Sequence, residues 1–142
     1  MEMRKIIFLV VVLLMVGSAH AEFGDGKKED RIERREDFKL KLAKIKDEKK
    51  KKIVEKLDIR FNEVNAKRTA QMTKHLDKMT EILGKVGGDV ASASSAIQTA
   101  RDAVTVQAAK TYVITISTEA NLKTDVGKVR SQLEADLKSV NE

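Results

Sequence analysis

The chain has 142 residues with 28 Lys or Arg against 22 Asp or Glu, a net charge of +6, and no Pro, Cys or Trp. Aromatic residues make up only 4%, too few large side chains to favour a compact globule, and the absence of Cys excludes disulfide support. Charged residues at 35% without a single proline are what long solvent-exposed helices look like, so the predicted fold class is all-α.

The first 21 residues read as a secretory signal. Arg4 and Lys5 precede the apolar run Ile6 to Val16, and Gly17-Ser-Ala19-His20-Ala21 ends in the small-x-small pattern that signal peptidase accepts. The alternative is an N-terminal membrane anchor. Eleven apolar residues span only about 17 Å of a hydrocarbon layer roughly 30 Å thick, which favours cleavage after Ala21. The expected product is exported, to the periplasm, the cell surface or the medium, and starts with a flexible polar segment at 22–29.

A long helix is predicted over 30–86. Its first part is basic: residues 27–56 hold 14 Lys or Arg and 8 Asp or Glu, net +6, so the remainder of the exported chain is about neutral. Within it the acid-before-base spacings Asp47 to Lys51 and Glu48 to Lys52 support an exposed helix by about 0.2–0.5 kcal/mol each. Lys39, Lys41, Lys44, Lys46, Lys49, Lys50, Lys51 and Lys52 form the candidate contact surface for a polyanion such as lipid headgroups or wall polymers, against the plainer reading of a solvated helical face. Nothing aromatic interleaves the lysines, which disfavours sequence-specific nucleic-acid binding. From Leu57 an apolar stripe emerges at three- and four-residue steps through Phe61, Val64, Met72, Leu76, Met79, Leu83 and Val86, with Arg68 as its polar interruption. A thinner continuation runs back through Ile53, Ile45, Leu42, Phe38 and Ile32. A single helix over this range would be about 85 Å long, so the predicted architecture is an elongated helical hairpin or coiled coil.

Gly87 and Gly88 predict a helix C-cap and turn, with Asp89 capping the next helix. A return helix is predicted over 89–109, where Val90, Ala93, Ile97, Ala100, Val104 and Ala108 make a stripe of mostly small residues suited to close antiparallel packing on 64–86. A third amphipathic helix is predicted over 119–140, opened by Thr118 and carrying Leu122, Val126, Val129, Leu133, Leu137 and Val140, with Gly127 as a weak point.

Between them lies Lys110-Thr-Tyr-Val-Ile-Thr-Ile-Ser-Thr118. Tyr112, Ile114 and Ile116 share one side of an extended chain, and Val113, Thr115 and Ser117 share the other. A lone strand leaves its backbone amides unpaired. Three arrangements would resolve this: a connector packed across the helices, a helical stretch imposed by tertiary context, or an edge that pairs with another copy or a client chain. Tyr112, Ile114 and Ile116 are therefore candidate docking or self-pairing residues.

The stretches 38–58, 62–69, 76–79, 107–116 and 125–128 together resemble a set of uncharacterised exported helical proteins of reduced-genome bacteria. The resemblance implies an exported, all-helical, elongated protein and no particular activity. More loosely, an exported, basic, Cys-free chain with long helices is similar to the trimeric periplasmic chaperones of outer-membrane proteins, in which short strands build the trimer base. That likeness implies a homo-oligomer that holds unfolded clients, and it offers a purpose for 110–118.

Catalysis has little to rest on. The exported part has one His, no Cys, no Gly-rich phosphate loop, and neither His-Glu-x-x-His nor Gly-x-Ser-x-Gly, so no enzyme activity, cofactor or small-molecule substrate is expected. Met72, His75 and Met79 share a helical face and include soft ligands, but Met at seam positions packs far more often than it binds metal. The expected function is a structural or binding module of the cell envelope whose basic helix contacts anionic components; the alternative is a holdase-type chaperone.

Overall fold

The structure is a computed structural model that describes residues 22–86 and 90–142. The expected secretion signal at 1–21 and the turn Gly87-Gly88-Asp89 lie outside the described residues. Among the described residues four α-helices succeed one another: α1 (Glu22–Ala43), α2 (Glu48–Leu83), α3 (Ala91–Ala108) and α4 (Leu122–Asn141), the last entered through a short 3-10 helix at Glu119–Asn121. There is no strand among the described residues, and the fold is all-α. The chain divides into two compact units, 1–36 and 37–142. The described part of the first is the front of α1, where Arg34 pairs with Asp30 at 2.9 Å; the hydrophobic core belongs to the second.

Two expectations at the N-terminal side are corrected. Residues 22–29, expected to be a flexible lead-in, are the first turns of α1, and the single helix expected over 30–86 is interrupted at 44–47. The cause of the interruption is Asp47. Its carboxylate accepts hydrogen bonds from the backbone N–H groups of Lys49 (2.9 Å) and Lys50 (3.1 Å), so it caps α2 from an extended conformation instead of pairing along a continuous helix. The predicted Asp47–Lys51 and Glu48–Lys52 pairs give way to looser contacts one residue closer, Lys50 to Asp47 at 4.0 Å and Lys51 to Glu48 at 3.6 Å. Leaving the helix also buries Ile45 beside Phe38 and Leu42 in the same core.

In α2 the buried stripe is Val54, Asp58, Phe61, Asn65, Thr69 and Leu76. It lies about one residue round the helix from the stripe read off the apolar residues alone. Arg68, Met79 and Val86, assigned to the seam, are exposed, as are Ile32 and Ile53 further back. α3 packs on α2: Arg101 reaches Asp77 at 2.6 Å, and Gln107 reaches Asn65 at 3.0 Å, so higher numbers on one helix meet lower numbers on the other. α4 packs on both α2 and α3. Its Leu122 and Leu133 are buried and Val126, Val129 and Leu137 lie against the core, while an added Cβ at Gly127 would meet open space.

The segment 110–118 is extended and runs through the middle of this core. Ile114 is fully buried and Tyr112 and Ile116 nearly so, whereas Thr115 and Ser117 are exposed. The segment packs as a connector across the helices, and its alternation is incomplete: Val113, expected outward with Thr115 and Ser117, lies partly buried against the core.

Candidate functional site

The sequence singles out two sets of residues, and the structure places one in the core and the other on the surface. Tyr112, Ile114 and Ile116 pack on this chain's own helices, where their backbone is paired by side chains rather than by a strand. The Asn62 carboxamide donates to the Tyr112 carbonyl at 2.7 Å and accepts from the Tyr112 N–H at 2.9 Å, taking the place of a neighbouring peptide group. One turn back, Asp58 accepts from the Ile114 N–H at 3.1 Å; one turn forward, Asn65 donates to the carbonyls of Gln107 (3.0 Å) and Lys110 (3.1 Å). The geometry explains the register. Four helical residues rise about 6 Å and two extended residues about 6.6 Å, so successive turns of α2 stay level with alternate residues of the segment.

The far end of the segment is held by α4. Asp125, in the first turn of α4 and almost fully buried, accepts from both the N–H (2.8 Å) and the hydroxyl (2.7 Å) of Ser117. These bonds, led by the Ser117 N–H, hold the Asp125 carboxyl below its usual range against the opposing effect of burial. The Tyr112 hydroxyl accepts from Gln107 Nε2 and donates to Asp136, each at 2.7 Å, and Lys110 stands 3.2 Å from the same carboxylate. Burial raises Asp136, but its hydrogen bonds from Tyr112, Lys110 and Gln132 outweigh that and hold it low.

Tyr112 itself is pushed up to about 12, first by burial and then by its bond to Asp136. A raised phenol contributes stability that is complete below the unfolded value near 10 and is lost as pH rises through the folded one. Because the chain contains one Tyr and no Trp, tyrosinate absorbance follows this group alone. The expected result is a midpoint near pH 12 in the folded protein that returns to about 10 in denaturant. The low carboxylates act in the opposite direction: Asp125 and Asp136 stabilise the fold above about pH 4 and lose that contribution as pH falls through their depressed values.

The second set is the lysines. Lys39, Lys44, Lys46, Lys49, Lys50 and Lys52 are exposed, and Lys41 and Lys51 partly so. Lys41 pairs with Asp37 at 2.9 Å, Lys50 approaches Glu119 at 3.6 Å, and Lys51 approaches Glu48. Lys39, Lys44, Lys46, Lys49 and Lys52 form no ion pair with the described residues. The bend at 44–47 brings the end of α1 and the start of α2 together, and Lys49 to Lys52 fall in the first turns of α2, where the helix dipole is already positive. That arrangement is electrostatically unfavourable for the helix and raises the local positive potential. It is offset by the Asp47 cap, by Glu48, and by Glu119, whose carboxylate accepts from the Lys46 N–H at 3.0 Å and is held low chiefly by that bond.

Sequence reasoning missed the inward polar row of buried Asp58, half-buried Asn62 and buried Asn65, together with buried Gln107 and Asp125 and half-buried Asp136. Its signal was present as the four-, three- and four-residue steps of Asp58, Asn62, Asn65 and Thr69. Of the possible soft-ligand set, Met72 is half-buried while His75 and Met79 are exposed, and among the described residues no group of three or more His, Cys, Asp or Glu is arranged to hold a metal. No described helix is long and apolar enough to cross a membrane. Comparison with family models, with curated proteins and with solved structures finds no match to this chain.

Proposed function

We propose that the protein is an exported structural or binding module of the cell envelope that acts by surface contact, without catalysis, and that the basic bend Lys39 to Lys52 touches an anionic envelope component. The observation that carries this reading is five exposed lysines that form no ion pair with the described residues, gathered within 14 residues around the bend that leads into the positive end of α2. Export rests on the charged, apolar and small-residue parts of Met1 to Ala21, and the likeness to exported helical proteins agrees with it. The elongated hairpin belongs to the same reading, with α2 and α3 as its two arms.

The test is binding of the full chain to immobilised polyphosphate and to anionic vesicles as salt is raised. Contacts between exposed charges are screened over about 10 Å at 0.1 M salt, so retention falls steeply with ionic strength and falls again when Lys44, Lys46, Lys49 and Lys52 are changed to Gln. Retention that ignores both salt and these substitutions would contradict the reading.

A holdase is the second reading, and it is favoured by exposed apolar side chains away from the bend: Met79 and Ile82 on α2, Val86 after it, and Val106 on α3, each more than half exposed. A homo-oligomer belongs with it. A holdase suppresses aggregation of a denatured membrane protein at stoichiometric ratio, whereas an anion-binding module does not.

A further inference from the structure

The basic surface does not end with the bend. At about 100° per residue, Lys49, Lys52, Lys56, Arg60, Lys67 and Lys74 fall within an arc of about 80° on α2, directly opposite the buried arc of Val54, Asp58, Phe61, Asn65, Thr69 and Leu76. All six are exposed. Arg60 lies 3.8 Å from Glu63, the one acidic residue of that arc between Lys49 and Lys74; the five lysines form no ion pair with the described residues. The stripe is about 38 Å long at 1.5 Å per residue.

At its two edges, about 20° beyond the outermost cations, stand Ile53 and Ile59, which are 56% and 54% exposed. Resting on the proposed contact with anionic components, we infer that the occupant of this face is an anionic lipid bilayer, with α2 lying along the surface, the cations at the headgroups and the two isoleucines entering the interface on either side. Charge complementarity calls for a polyanion. The isoleucines select the lipid: a soluble polyanion offers them nothing, whereas the headgroup–acyl boundary receives apolar side chains flanked by lysines whose stems are themselves apolar. The straight run of the stripe suits a plane. Neither Lys67 nor Lys74 belongs to the bend, so they separate this inference from the broader reading.

The experiment compares partition of the full chain between vesicles of phosphatidylcholine alone and vesicles that also contain phosphatidylglycerol. Taking the ratio of the two removes whatever the apolar run Ile6 to Val16 contributes equally to both. The ratio is expected to fall about 25-fold in Lys67→Gln/Lys74→Gln, at roughly fivefold per cation near the surface, and to stay near the wild-type value in Lys123→Gln/Lys138→Gln, which removes the same charge from α4. Ile53→Ser/Ile59→Ser is expected to lower vesicle binding several-fold while leaving retention on polyphosphate unchanged. All these positions are exposed, and circular dichroism checks that the helices persist. If phosphatidylglycerol increases binding but the Lys67/Lys74 variant binds like wild type, the stripe is wrong and the reading of the bend stands. If the isoleucine variant binds vesicles undiminished, nothing selects lipid over a soluble polyanion and the lipid inference is overturned. Absence of any preference for the anionic vesicles would overturn the inference, and the reading beneath it falls as well only if retention on polyphosphate also ignores salt.

Discussion

Replacing Ile114 by Ala is expected to lower the unfolding free energy by about 2–5 kcal/mol, the range seen when a buried large aliphatic side chain is cut back and its cavity only partly collapses. Ile114 is at the upper end of that expectation because it has no exposed surface and sits in the cluster that joins α1, α2 and α4. Its backbone cannot move to refill the space without giving up the bond from its N–H to Asp58. The neighbouring substitution Thr115→Ala, on the exposed side of the same segment, should change stability by less than about 0.5 kcal/mol. Urea denaturation monitored by circular dichroism measures both. Equal, small effects at the two positions would mean that the segment is not packed as described.

Asn62→Leu is the second large effect expected. Leucine keeps the volume but removes both the acceptor for the Tyr112 N–H and the donor to the Tyr112 carbonyl. Each buried backbone group left without a partner costs about 1–3 kcal/mol, so a loss of about 2–6 kcal/mol is expected for the two, less where water enters. Exchange for an apolar residue would be nearly neutral if the helix face were merely solvated. The two cases are therefore well separated. A second readout is the Tyr112 phenol, whose titration should move from about 12 back toward 10 as the segment loosens and the ring meets water.

These two residues also mark what the sequence reveals and what it hides. The burial of Tyr112, Ile114 and Ile116 is a consequence of their alternation, because an extended backbone sends successive side chains to opposite sides whatever pairs with it. What satisfies that backbone is not legible, because Asp58 and Asn62 lie in a charged helix and look like solvated positions. Only their spacing, shared with Asn65 and Thr69, marks them as a face. Reading the seam from apolar residues alone therefore places Arg68 and Met79 inward, about one residue off the true line. The lysine-rich surface is legible from density, and its exposure in the structure agrees. The bend within it is not, because Asp47 carries two competing signals, an i,i+4 partner for Lys51 and an N-cap for α2, and the cap prevails.

The central claim is that 110–118 is an internal strand substitute, its backbone bonded by Asp58 and Asn62 of α2 and by Asp125 of α4. Amide hydrogen exchange of the full chain, resolved by residue, tests this most directly. The Tyr112 and Ile114 amides, bonded to Asn62 and Asp58, are predicted to exchange as slowly as core amides of α2 and at a rate independent of protein concentration. The Thr115 amide, on the exposed side, should exchange much faster. Fast exchange at Tyr112 and Ile114, or protection that appears only as the concentration rises, would contradict the claim and make 110–118 an edge that pairs between copies.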